Sequence, residues 1–227
     1  MTAVKTREMS LRLGLFYVAT FAVIGLHLPF FPVYLAHRGF NADTIGLVLA
    51  VPLLSRVFSA PAIAFTADRL DAHRDLLIVL CLGAATAFAL FELSSGLMAV
   101  LAVATLFAVV WTSVIPMAES LATAAVRGHG IDYGRIRSFG SLAFILASFG
   151  GGWAIERFGG AAAYWVILAT LAMTVPAAVL LPRPPSRDGP SPVPLRLADA
   201  GRLMSSPIFL LLLLAVTLIQ SAHALLY

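Results

Sequence analysis

Long apolar runs separated by short polar breaks make up almost the whole chain. The runs fall at roughly 13–36, 44–66, 76–93, 97–122, 138–156 and 161–181, and a seventh begins near 207 and reaches Tyr227. A bilayer core about 30 Å thick takes about 20 apolar residues of helix to cross. The pattern therefore predicts six transmembrane helices and the start of a seventh. The breaks carry turn and charge signals: Arg38-Gly39-Phe40-Asn41, Asp68 to Asp75, Ser94-Ser95-Gly96, Arg127 to Arg137, and Arg157-Phe158-Gly159-Gly160. Each is short, so consecutive helices are expected to be antiparallel neighbours.

Composition agrees with this pattern. Of 227 residues, 60% are apolar and 11% charged, against about 25% charged in soluble domains. So few charges cannot make a water-facing surface, and lipid must cover the remainder. The apolar run after Lys5, Arg7 and Arg12 is too long for a signal-peptide core, has no A-x-A-type cleavage site and is followed by further spans. It reads as a first helix that also directs insertion. Cys81 has no second cysteine to pair with and sits in an apolar run, as a packing residue would. There is no metal-ligand cluster and no cofactor motif, and the arginines lie in loops, which argues against nucleic-acid binding.

The placement of charge sets an orientation. Lys5, Arg7 and Arg12 precede the first span, and Arg69 and Arg74 follow the second. Arg127, Arg135 and Arg137 follow the fourth, and Arg183, Arg187, Arg196 and Arg202 follow the sixth. These alternate segments hold twelve of the 15 basic residues, whereas the opposite side holds Arg38 and Arg157. Cytoplasmic loops are rich in Lys and Arg, so the amino terminus is expected in the cytoplasm. A bacterial inner membrane is the expected location, and a seven-helix receptor with its amino terminus outside is disfavoured.

The segment 182–206 differs, with Pro182, Pro184, Pro185, Pro190, Pro192 and Pro194 among mixed charges. Proline lacks an N–H and clashes with the preceding turn. The segment reads as a cytoplasmic linker, with 195–204 as a short surface helix, or as an ordinary long loop. The expected organisation is a six-helix membrane half over 1–181, the linker over 182–206, and a truncated seventh helix over 207–227. That layout suggests a fragment of a longer protein.

Ionisable groups inside spans are costly and usually face the bundle interior or a wet cavity. Arg56 lies about 12 residues into span two, or about 18 Å along it. It is either a cavity-lining cation or a structural partner of backbone carbonyls or Glu119. Glu119, in span four, and Arg137, at the start of antiparallel span five, are placed to meet. They would hold a solute between them or join the two helices. His27, in span one, is either a proton relay or a hydrogen-bonded helix residue, and the same alternatives hold for His223 in span seven. Converging Asp/His or Ser/His pairs on adjacent spans are missing, which argues against a membrane-embedded enzyme.

Four local patterns resemble the major facilitator superfamily. Residues 64–74, Ala-Phe-Thr-Ala-Asp-Arg-Leu-Asp-Ala-His-Arg, resemble its cytoplasmic signature G-x-x-x-D-[RK]-x-G-[RK]-[RK]. Asp68, Arg69 and Arg74 match the charged positions, while Ala64 and Asp71 stand where glycines are usual. The run from Gly25 to Leu35, with Pro29 and Pro32, resembles the first helix of the lactose-permease and phenylpropionate-permease branches. Glu119, followed 18 residues later by Arg137 in Gly134-Arg135-Ile136-Arg137-Ser138-Phe139-Gly140, resembles the sugar-holding pair of lactose permease. Phe144 stands where that permease has a stacking tryptophan. Gln220-Ser221-Ala222-His223 resembles a Ser-His pair of the phenylpropionate-permease branch.

The resemblance implies an all-α membrane fold: a six-helix amino-terminal bundle of two inverted three-helix repeats, plus the start of helix seven. It implies a secondary transporter of a small organic solute working by alternating access, with protons as the coupling ion and a missing carboxy-terminal half. Glu119, Arg137, Phe144, Arg56 and His27 would line the substrate site, Asp68, Arg69 and Arg74 would form a cytoplasmic gate, and His223 would relay protons. An exporter of the same superfamily is a rival, but residues 149–153 lack the Gly-Pro signature expected of one.

Overall fold

The computed structural model describes residues 3–129, 131–182, 201 and 204–226, and the side chains of all of these except 3–5, 127–129, 220 and 223–226. Every regular element among them is α-helical: α1 (Ala3–His37), α2 (Ala42–Leu70), α3 (His73–Leu93), α4 (Gly96–Trp111), α5 (Val114–His129), α6 (Tyr133–Phe158), α7 (Ala161–Val179) and α8 (Pro207–Leu226). Six stretches are long and apolar enough to cross a bilayer, with α4 and α5 joined as one span, Gly96–Val126. The expected six-span fold is present. The linker and its expected surface helix lie almost wholly outside the described residues.

Span four departs from the uninterrupted helix expected of it. Pro116 has no N–H to offer the carbonyl of Thr112, and its ring crowds that carbonyl. The helix breaks at Thr112-Ser113 accordingly. Thr112 N–H still closes α4 on the Ala108 carbonyl at 3.1 Å, and Met117 N–H opens α5 on Ser113 at 3.2 Å.

Helix packing follows an inverted repeat. The helix α1 packs on α6 and α7, α4 packs on α2 and α3, and α3 packs on α7. Exchanging span one with four, two with five and three with six maps these contacts onto themselves. Spans one and four cross in opposite senses, so the two three-helix units have opposite topology. Helix ends repeat the pattern. Asn41 caps α2 by accepting from Thr44 N–H at 2.9 Å, and Asp132 caps α6 by accepting from Arg135 N–H at 3.2 Å. Each satisfies one of the donors a helix start leaves free.

The carboxy-terminal ends of spans three and six are both closed by arginines from other helices. Arg38 donates to the carbonyls of Phe91 and Ser94 at the end of α3. At the end of α7, Arg12 donates to the Leu180 carbonyl at 3.1 Å, and Arg74 to Leu181 and Val179 at 2.6 and 2.5 Å. Guanidinium groups there satisfy orphan carbonyls and oppose the negative end of the helix dipole.

Two apolar clusters fill the bundle. One gathers Leu13, Phe16, Tyr17, Leu77, Cys81, Met117 and Ile136, and Cys81 is a buried free thiol there. The other is aromatic, around Phe31, Tyr34, Phe88, Phe91, Phe107 and Tyr164. By contrast, α2 and α6 leave large apolar side chains uncovered, such as Phe58 at 79% and Phe149 at 76% exposed. As a separate unit, α8 begins with Ser206 at its N-cap and Pro207 at its first helical position, where a missing N–H costs nothing.

Candidate functional site

The stripe of α6 that faces α1 carries the site. Tyr133, Arg137, Gly140, Phe144, Ser148 and Gly151 recur at three- and four-residue spacing, one face of a helix. Backbones approach closely along it. A Cβ at Gly25 of α1 would stand 2.5 Å from the Phe144 carbonyl oxygen, and one at Gly140 would stand 2.9 Å from the Phe21 ring. Ser148 donates to the carbonyls of both Gly25 and Phe144, each at 2.9 Å, and so pins the crossing.

One end of this stripe meets α5. Tyr133 O–H donates to Glu119 Oε2 at 2.6 Å, the short distance typical of a carboxylate acceptor. The Arg137 guanidinium lies over the Phe21 ring, 4.2 Å from its centroid, a cation–π contact. Its Nη1 is buried and has no hydrogen-bond partner. On α1, Thr20 Oγ1 is also buried without a hydrogen-bond partner, and the Tyr17 hydroxyl, one turn back, is buried beside Glu119 and Tyr133. Tyr17, Thr20, Phe21 and Glu119 line a shared crevice of about 10 Å³ together with Phe16, Ile115 and Ala118, room for at most one water. Glu119 and Arg137 therefore share one layer of the bundle, but no ion pair joins them among the described residues. The acid turns to a tyrosine and the base to a phenylalanine.

The other expected site residues are placed as follows. Phe144 sits two turns from Arg137 on the same stripe, its ring half-buried and its backbone packed on Gly25. Arg56 is exposed on α2 and makes no hydrogen bond or ion pair among the described residues. The structural bond to Glu119 or to backbone carbonyls is thus not formed. His27 lies two turns further along α1 than Thr20, on the same face. Its ring lies 4.9 Å from Phe31 and 5.1 Å from Phe107, edge-on to Phe88, and its Nε2 is buried without a partner. It stands in the aromatic cluster, apart from Glu119 and Arg137. The side chain of His223 lies outside the described residues.

The signature residues are split between two tasks. Helix α2 continues through Asp68 and Arg69 to Leu70, and Asp71 ends it in the left-handed conformation, φ 46°, with its N–H on the Ala67 and Asp68 carbonyls. This is the position where glycine is usual, because few other residues adopt that geometry easily. Aspartate is among them. Asp68 Oδ1 lies 3.1 Å from His73 Nε2, not on an arginine. Arg74 is committed to the end of α7 and to Asp75, while Arg69 is exposed. Asp68 and His73 stand at one end of a groove of about 110 Å³ between α2 and α5, lined also by Ala60, Ala64, Ser113, Pro116, Met117 and Ser120.

The sequence profile of the MFS_1 like family matches residues 10–227. The chain belongs to the major facilitator superfamily. It is similar to the maltose permease of Geobacillus stearothermophilus, with 27% identity over 206 residues, covering 90% of this chain and 52% of the permease. It is also similar to a probable 3-phenylpropionic acid transporter of Escherichia coli strain K12, with 32% identity over 172 residues, covering 74% of this chain and 43% of the relative. Among solved structures, the crystal structure of the nucleoside transporter NupG shares the fold: TM-score 0.68 at 16% identity, over 80% of this chain and 47% of NupG. The chain spans about half the length of the curated relatives it matches. As a member of this superfamily it is a multi-pass membrane protein, and the relatives are transporters of small molecules.

Four members of the site, Tyr17, Thr20, Phe21 and Tyr133, were missed by sequence reasoning. A signal existed for each. Thr20 and Phe21 follow Tyr17 by three and four on one helix, and Tyr133 precedes Arg137 by four, so each set shares a face. Only the packed structure shows that the two faces meet.

Proposed function

We propose that the full-length protein is a secondary transporter that moves a small organic solute across the cell membrane together with protons. This chain supplies one wall of the path, and a carboxy-terminal six-helix half supplies the other. The observation that carries this reading is the set of unmatched polar groups inside the bundle. Arg137 Nη1 and Thr20 Oγ1 are buried without hydrogen-bond partners, and Thr20 shares a crevice with Glu119. An unpartnered buried donor costs about 1–3 kcal/mol, and a site that awaits a polar solute accounts for that cost. The uncovered apolar faces of α2 and α6 supply the surface against which a second half would rock.

In this reading the amino terminus is cytoplasmic, the proline-rich segment joins the halves on the same side, and α8 is the first helix of the second half. The inner membrane is the proposed location, a reading that the bacterial relatives support. The solute belongs to the range the relatives' names span, from a disaccharide to an aryl monocarboxylate. Asp68, Arg69 and Arg74 act at the cytoplasmic gate, Arg74 by holding the end of α7.

The test is uptake by the full-length protein in proteoliposomes, with and without an imposed pH gradient, inside alkaline. Solute accumulation that follows the gradient and collapses with a protonophore is the expected result. Accumulation indifferent to the gradient removes proton coupling, and no accumulation of any solute removes the transporter reading.

A further inference from the structure

Span four is built to bend, and there is room beside it. Pro116 withholds the N–H that the Thr112 carbonyl would take, and α4 and α5 part at Thr112-Ser113. Thr112 Oγ1 turns back to the Ala108 carbonyl at 2.8 Å, a bond that itself favours bending. Ser113 stands at the cap position before α5, where a serine oxygen accepts from the second or third N–H of the helix. The third residue is Pro116, which has none, and Ser113 Oγ is buried without a partner, the residue being 3% exposed. The junction is therefore held by fewer bonds than the helix on either side of it.

The two sides of α5 differ. Toward α6, Glu119 accepts the 2.6 Å hydrogen bond of Tyr133. Toward α2, Ser113, Pro116, Met117 and Ser120 face the groove of about 110 Å³. Across it stand the small side chains of Ala60 and Ala64, one turn apart, with Asp68 one turn further. Over the roughly 12 Å from Ala60 to Asp68, that volume amounts to a gap about 3 Å across. Between the two sides, Val114, Ala118 and Leu121 lie in the apolar cluster with Leu13, Phe16 and Leu77. Such contacts are non-directional and tolerate a small slide.

We infer that α5 is a strap that pivots at Thr112-Ser113 between the position in the structure, latched to α6, and a position closed on α2. Ser120 is seven residues from the pivot, about 10 Å along the helix, so a tilt of about 15° carries it about 3 Å, the width of the groove. Glu119 and Ser120 are successive residues, about 100° apart around the helix, so the tilt that takes Ser120 toward Asp68 takes Glu119 away from Tyr133. One hydrogen bond to a carboxylate is exchanged for another: Tyr133 to Glu119 is given up, and Ser120 to Asp68 is gained. Asp68 has Oδ2 to offer, since His73 is on Oδ1. An exchange of like for like leaves two arrangements close in free energy, as a moving element requires. The pivot itself rests on the geometry. Its role, opening and closing the solute path at the Asp68 end of the bundle, rests on the transporter reading.

The test is distance measurement by electron paramagnetic resonance on the full-length protein, made cysteine-free and reconstituted in proteoliposomes. Nitroxide labels at Leu70 and Thr123, both exposed, span the groove, and labels at Leu47 and Met98, both exposed, report α2 against α4 as a control. The groove pair should show a long and a short distance. Tyr133→Phe, which opens the latch, should raise the ratio of short to long about tenfold, the factor expected for one hydrogen bond to a charged group. Ser120→Ala should lower that ratio by a similar factor. Pro116→Ala, which restores the bond to the Thr112 carbonyl, should remove the short distance. The control pair should keep one distance throughout. Melting curves show which variants are folded, and Ser120→Ala and Pro116→Ala carry the test if Tyr133→Phe is not.

A single groove distance unmoved by these substitutions overturns the pivot, and so does a control pair that shifts with the groove pair. Uptake of labelled maltose and 3-phenylpropionate by the same vesicles tests the role. A Pro116→Ala variant that lacks the short distance should take up the solute that the parent accumulates at least about tenfold more slowly. Uptake at the parental rate overturns the role of the strap in the path. If the parent accumulates neither probe, that result bears on the transporter reading, and the distances still decide the pivot.

Discussion

Gly25→Ala and Gly46→Ala are the same chemical change on two membrane helices, yet they should move stability in opposite directions. At Gly46 of α2 the added methyl meets nothing within 4 Å. Alanine is the better helix former by about 0.8–1 kcal/mol, so this variant should be neutral or stabilised. At Gly25 the methyl would stand 2.5 Å from the carbonyl oxygen of Phe144 and 3.1 Å from Ser148 Oγ. The first of these is backbone and cannot swing away, so α1 and α6 must separate. Over-packing of this kind costs about 1–3 kcal/mol. Separation also strains the Ser148 bond to the Gly25 carbonyl, worth about 0.5–1.5 kcal/mol. After the helix-propensity gain, Gly25→Ala should lose about 1–3 kcal/mol. The two variants should then differ by about 2–4 kcal/mol, or at least roughly 4 °C in melting temperature on the scale of about 2–4 °C per kcal/mol. Thermal melts of the detergent-purified protein, read by circular dichroism, give the comparison. Equal shifts, or a Gly25→Ala variant that melts at or above the parent, would refute the close α1–α6 crossing on which the site is built.

Further outcomes follow from other contacts. Tyr133→Phe removes the 2.6 Å hydrogen bond to Glu119 and should cost about 1–3 kcal/mol. In a double-mutant cycle with Glu119→Gln the two losses should not add, and additive losses would mean that the hydroxyl and the carboxylate do not interact. Arg74→Ala uncovers the Val179 and Leu181 carbonyls, so amide exchange over the last turn of α7 should quicken at least about tenfold while that of α6 stays as it is. Equal protection in variant and parent would leave Arg74 without a capping role. For orientation, Arg69→Cys and Ser95→Cys on a Cys81→Ala background both present exposed positions. A membrane-impermeant thiol reagent applied to intact cells should label position 95 and spare position 69, and the reverse pattern inverts the proposed topology.

What the sequence disclosed and what it withheld divide along a physical line. Span number and place were readable because a bilayer demands about 20 apolar residues per crossing, and the breaks are marked by charge and glycine. Proximity was partly readable too: Glu119 in span four and Arg137 at the start of antiparallel span five were expected to meet, and in the fold Tyr133 bonds Glu119 one turn from Arg137. Even the break in span four had its signal in Pro116. The direction in which a residue faces was not readable. In a soluble helix the polar side points to water and periodicity fixes the rest. In lipid the outward side is as apolar as the inward one, so that pointer is lost. His27 shows the consequence, since only the packed structure places its ring in the aromatic cluster of Phe31, Phe88 and Phe107.

The same loss explains why the partners of Glu119 and Arg137 could not be named. Spacing of 18 residues brings the two helices level but leaves open whether acid meets base. That choice depends on what α1 brings between them, and α1 brings Tyr17, Thr20 and Phe21. Phe21 takes the guanidinium and Tyr133 takes the carboxylate. A direct Glu119–Arg137 bridge would neutralise both and leave a solute to compete against an ion pair, whose disruption by loss of one partner costs about 3–5 kcal/mol when buried. The arrangement seen keeps the two charges apart on weaker partners, a ring and a phenol. On the transporter reading proposed above, a solute would displace a cation–π contact of about 0.5–2 kcal/mol instead of a buried salt bridge. On that reading, shallow competition at the site would serve both uptake and release, since a transporter must let its solute go on the far side as readily as it takes it up.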